Sequence, residues 1–180
     1  MIAAALSLFL APPATAANDY DRKYENCRLQ VSDLPPAAPR FADFPVKPEP
    51  VARPSPPKLT SPMARHFRTE LKVQAKLGPD FAGRYRVAVW GCGTGCESFA
   101  VIDLKTGAVS FPPGLTGVEQ GEASPLDDLT YRMDSRLLIV TGSPDEEFKG
   151  LGMRFYVMGR NGLRLIKTLS YAEVCPATSN

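Results

Sequence analysis

The residues best suited to chemistry are Cys92 and Cys96, four positions apart in the string Trp90-Gly91-Cys92-Gly93-Thr94-Gly95-Cys96. That separation allows a disulfide across a tight bend, and Gly91, Gly93 and Gly95 lack the Cβ that disfavours positive φ. A bend of this kind also leaves backbone N–H groups exposed. Three roles fit it. The bridge could only pin a hairpin. It could stiffen a binding tip flanked by Trp90 and Glu97, which would lose little entropy on docking into a partner's cleft. It could also be a thiol redox or metal-binding pair, but the motif has one residue more than the usual dithiol spacing. It also lacks the strand-then-helix setting that lowers a thiol pKa. The candidate binding residues are therefore Trp90, Gly93, Thr94, Gly95 and Glu97.

Other chemistry is poorly supplied. His66 is the only histidine, and no Gly-x-Ser-x-Gly elbow accompanies it, so a Ser-His-Asp triad has no visible nucleophile. The acids Asp127, Asp128, Asp145, Glu146 and Glu147 could offer a glycosidase pair, but their polar surroundings, like those of Glu119 and Glu122, predict solvent-facing loops. The spacing of oxygen ligands that marks a calcium loop is absent. A four-cysteine zinc site would require Cys27 and Cys175 to converge on the Cys92–Cys96 bend. The expectation is a non-enzyme with no cofactor and no bound metal.

The elements around the motif begin with an apolar run, Ile2 to Ala11, followed by Pro12, Pro13 and Ala14-Thr15-Ala16. This pattern reads as a signal peptide over residues 1–16, with the mature chain starting at Ala17 or Asn18. The run is shorter than the roughly 20 apolar residues of a membrane span, so no membrane anchor is expected after cleavage. The predicted location is periplasmic or secreted. There the four cysteines favour disulfides; three connectivities are open, and 27–175 with 92–96 is the one favoured here.

With 180 residues and a net charge of +2, the chain suits one domain and shows no basic stripe for nucleic acid. A partner would be an unknown protein or small molecule. Ten prolines between Leu34 and Pro62 exclude helix and sheet interiors. Residues 17–59 are thus expected to form a Pro-rich arm, with Phe41, Phe44, Val46 and Val51 able to lie against the domain.

Residues 60–180 are expected to form a single α+β domain. Ser61-Pro62 and Gly78-Pro79 bracket one helix, whose Ala64, Phe67, Leu71 and Ala75 share a face. Alternation in Arg84 to Trp90 predicts a strand, Ser98 to Ile102 reads as a second, and the turn Asp103 to Gly107 leads into a third, Ala108 to Phe111. Leu129 to Met133, Leu137 to Thr141, Met153 to Met158 and Leu163 to Leu169 also read as strands, with Asn161-Gly162 as a hairpin turn. The fold class expected is α+β, an antiparallel β-meander of about seven strands with one N-terminal helix packed on it.

Phe81-Ala82-Gly83-Arg84-Tyr85, the Trp-Gly-Cys-Gly-x-x-Cys core from Trp90 to Cys96, and Ile102-Asp103 with Thr106-Gly107 and Val109 resemble a family of exported bacterial proteins without an assigned activity. The resemblance covers roughly residues 60–170 and implies export and one domain. The family often has histidine where this chain has Arg84, so a role needing an imidazole would be missing here. A looser similarity, in the idea of the loop alone, is to Ivy-type periplasmic inhibitors of lysozyme. Those carry a histidine in the loop, whereas this one holds Gly93, Thr94 and Gly95.

Overall fold

The computed structural model describes residues 29–119, 128–144 and 150–175. The expected signal peptide, the start of the arm, Cys27, and the acids Glu122, Asp127, Asp145, Glu146 and Glu147 lie outside these residues.

Among the described residues eight strands form two four-stranded antiparallel sheets, where the sequence suggested one meander of about seven. In the first, β1 (Tyr85–Gly93) pairs with β2 (Cys96–Asp103). The far edge of β2 is shared by two short strands, β3 (Val109–Ser110) near its end and β4 (Val118–Glu119) near its start. The second sheet has the order β5 (Leu129–Tyr131), β6 (Leu137–Gly142), β7 (Gly152–Gly159) and β8 (Gly162–Ser170). β4 is the link between the two sheets, and the periodicity did not reveal it because two residues carry none. Glu119 and Ser143 exchange backbone hydrogen bonds of 2.7 and 3.0 Å, so β4 ties β2 to the end of β6.

The sheets face each other, and their alternating residues divide among three apolar clusters. Val87, Phe99 and Val101 of the first sheet meet Leu138, Val140, Tyr156 and Met158 of the second. The outer face of the first sheet presents Ala88, Ala100 and Ile102 to Ala64, Leu71 and Ala75. The outer face of the second presents Leu137, Ile139, Phe155 and Leu169 to Leu29, Leu34, Tyr171 and Val174. β2 and β6 are thus covered on both faces, which accounts for their almost unbroken apolar runs.

The expected helix face is buried as its spacing implied, but the helix is not one piece. It comprises α1 (Pro62–His66) and α2 (Arg68–Gln74), followed by a 3₁₀ turn at Ala75–Leu77. The Ser61 hydroxyl caps α1 by accepting from the Ala64 N–H. The break falls at Phe67, whose ψ of 25° leaves the helical range where its ring lies 4.6 Å from that of Trp90. A further short helix, α3 (Tyr171–Val174), follows β8.

The proline-rich segment 29–59 is a strap around the sandwich. Leu29, Leu34 and Ala38 are buried on the second sheet, Val46 packs against the inter-sheet core, and Val51 and Leu59 reach the outer face of the first. Its non-proline N–H groups do the bonding: Val46 donates to Asp134, Glu49 to Gly83, Ser55 to Leu104 and Lys58 to Gly107. Two glycines make room for it. A Cβ at Gly83 would lie 2.7 Å from the Lys47 carbonyl oxygen, and one at Gly107 would lie 2.1 Å from that of Pro56.

Candidate functional site

The cysteine motif forms the tip of the β1–β2 hairpin. The strands stay in register from Tyr85↔Asp103 to Gly91↔Glu97, then slip by one residue at Cys92 before Gly93 pairs with Cys96. Cys92 and Cys96 are joined by a disulfide with their Cα atoms 5.1 Å apart. Thr94 and Gly95 make the turn, and Gly95 takes φ 70°, a value that favours glycine. Residues 91–95 are all exposed, while Cys96 and Glu97 are half-buried. Among the described residues no cation pairs with Glu97.

The stem beneath this tip is braced on both flanks. On one side the half-buried Trp90 ring lies against Phe67, with Phe111 edge-on at 6.4 Å. Among the described residues its buried indole N–H has no acceptor. Trp90 therefore serves the shelf below the tip, and the carbonyl of its neighbour Val89 accepts from the Gln74 side chain at 3.2 Å. On the other side, the buried Ser98 hydroxyl donates to the Thr116 carbonyl at 2.7 Å. A Cβ on Gly117 would stand 3.0 Å from both sulfurs, so the chain at 117 lies directly on the disulfide. Between the flanks is a groove of about 360 Å³, bounded by Phe67, Cys96, Thr116, Glu119 and Pro144.

The other predicted groups are dispersed. His66 is exposed, touches Phe67 edge-to-face at 4.7 Å and has no hydrogen bond among the described residues. Cys175 is buried and disulfide-bonded, while Cys27, its expected partner, lies outside the described residues. Asp128, expected in solvent, is buried at the start of β5, because its backbone carbonyl accepts from Thr141 N–H of β6 at 2.7 Å. Among the described residues no three His, Cys, Asp or Glu side chains converge as a metal site, and no helix is long and apolar enough to cross a membrane.

Sequence patterning missed the charged groups at the hairpin's base. Asp103 accepts from the Lys105 and Thr106 N–H groups and from Arg84, whose Nη2 is 3.0 Å from Oδ2. Arg84 also reaches Glu49 of the strap at 3.4 Å, and Glu49 pairs in turn with Lys105. The hydrogen bond from Lys105 holds the Glu49 carboxyl below its ordinary range, and that to Asp103 raises the Arg84 guanidinium. Burial raises the Tyr85 hydroxyl. Nearby, Asp80 binds Arg86 at 3.0 Å and accepts from Val87 N–H and the Tyr131 hydroxyl; burial nevertheless pushes its carboxyl up. Arg86 is also held by Gln74 at 2.9 Å, which makes it a structural brace. The visible signal for Asp103 is the Asp-Leu-Lys-Thr-Gly turn, in which a carboxylate caps the two following N–H groups.

No protein-family model, curated protein or solved structure matches the chain.

Proposed function

We propose that the protein is an exported binding module that presents the 91–97 hairpin tip to a protein partner with a concave surface. The observation that carries this reading is the contrast within one hairpin. Five consecutive residues, 91–95, are exposed at its end, while Val87, Ala88, Phe99 and Ala100 lower down are buried. A narrow tip of glycine and threonine, closed by a disulfide and seated on an aromatic shelf, can enter a cleft with little loss of chain entropy.

Export rests on the apolar run and Ala-x-Ala pattern at residues 2–16, on the disulfide, and on the resemblance to exported bacterial proteins. Inhibition of a cell-wall hydrolase such as lysozyme is the sharpest form of the reading, since such enzymes hold their substrate in an open cleft.

The test is binding and inhibition measured against a panel of cell-wall hydrolases, with thermal midpoints taken in parallel. Thr94→Arg or Glu97→Lys should weaken capture about 100-fold, an effect typical of a central contact residue, with the midpoint nearly unchanged. Capture and midpoint falling together would return the tip to a purely structural role.

A further inference from the structure

A second cleft lies at the opposite end of the β1–β2 hairpin, on the order of 25 Å from the tip by strand length. It encloses about 310 Å³ where the strap, the starts of β1 and β6 and the β7–β8 turn converge. Its floor is apolar, with buried Ala82 and Met158 and half-buried Val46. Its walls are charged, and the charges do not cancel.

Glu49 and Asp103 are the acids there; Arg84 engages both, and Lys105 pairs with Glu49 as well. Arg136 and Arg160 also line the cleft, and among the described residues neither guanidinium has an ion pair or a side-chain hydrogen bond. Both come from anchored backbone. Arg136 donates its N–H to the Phe44 carbonyl at 2.8 Å and accepts from Met158 N–H at 2.9 Å, and Arg160 sits in the tight turn between Gly159 and Gly162. The Tyr85 hydroxyl accepts from Arg84 Nη2 at 3.4 Å, which leaves its own proton free to donate.

We infer that this cleft binds a small organic anion, with a phosphate or carboxylate head held by Arg136, Arg160 and the Tyr85 hydroxyl and an apolar body lying on Val46 and Met158. Guanidinium forks match the paired oxygens of both head groups. The Arg84–Asp103–Glu49 network keeps Arg84 and the cleft wall in place, and it uses up the acids that would otherwise neutralise the two free arginines. Neither the hairpin tip nor its partner enters this argument, so the two proposals stand apart.

The test is calorimetric titration of the full chain with phenyl phosphate, benzoate and inorganic phosphate. Phenyl phosphate or benzoate should bind at least several-fold more tightly than inorganic phosphate, and the tighter of the two identifies the head group. The double variant Arg136→Ala/Arg160→Ala should lose at least tenfold in affinity with its thermal midpoint unchanged, and Thr94→Arg should bind as the parent does. Met158→Ala should weaken the ring-bearing ligands but not inorganic phosphate. No binding of either ring-bearing anion by the parent chain, or equal affinity in the double arginine variant, would overturn the inference.

Discussion

The two ends of the β1–β2 hairpin are held by opposite means. At the tip the chain is closed by a covalent bond, bears almost no side chains and leaves Gly95 exposed, with open space where a Cβ would stand. At the base the strands are fastened by Asp103, Arg84 and Glu49, and the strap crosses so closely that Gly107 has no room for a methyl group. One end is rigid yet unencumbered, and the other is rigid because it is surrounded. A surface meant to be offered to a partner fits the first arrangement, and a recess meant to hold a small ligand fits the second.

This contrast can be broken most directly at its two glycines, which share almost the same positive φ, 76° at Gly107 and 70° at Gly95. Gly107→Ala should cost roughly 3–4 kcal/mol, because a Cβ would collide with the Pro56 carbonyl and dislodge the Lys58 hydrogen bond. Gly95→Ala should cost only about 1 kcal/mol, the conformational penalty alone, since nothing lies within 4 Å. Urea denaturation of both variants makes the comparison, and equal costs would mean that the tip is as enclosed as the base.

Asp103→Ala tests the base by its charges. It removes the side-chain acceptor for two backbone N–H groups and leaves the partly exposed Arg84 with Glu49 as its one ion-pair partner among the described residues, so a loss of about 2–3 kcal/mol is expected. A loss below about 1 kcal/mol would show that the network is no stronger than an ordinary surface pair. The tip's own fastening should matter less. Replacing both Cys92 and Cys96 with serine opens a loop of five residues, whose closure contributes about 2 kcal/mol. The thermal midpoint of the double serine variant checks this, and the binding of anions at the base should be unaffected.

Much of this hairpin was legible in the sequence, because its determinants are local. The Cys-Gly-Thr-Gly-Cys string, the alternation through Tyr85, Val87 and Val89, and the helix face of Ala64, Phe67, Leu71 and Ala75 each state their structure within a few residues. The link between the two sheets does not, since it is made by a two-residue strand whose second partner, Ser143, is 24 residues away from Glu119. The helix break at Phe67 is set by a ring on another element. The strap was visible as composition but not as architecture: the prolines exclude regular structure, while the few N–H groups between them choose the contacts. The cleft was hidden for the same reason, because Arg84, Arg136 and Arg160 belong to three different elements and meet only when both sheets and the strap are in place.

The strap also has a bearing on how the chain acquires its structure. Its Leu29 shares a cluster with Val174, the Ser135 hydroxyl bonds the carbonyl of Phe41, and Lys167 bonds that of Ala37. The first described segment therefore finds its partners more than 90 residues further along the chain. Contacts of such long sequence separation make for slow folding, since loop closure must precede any gain from burial. A chain emerging from its N-terminus cannot complete its outer cluster until β8 and α3 have followed.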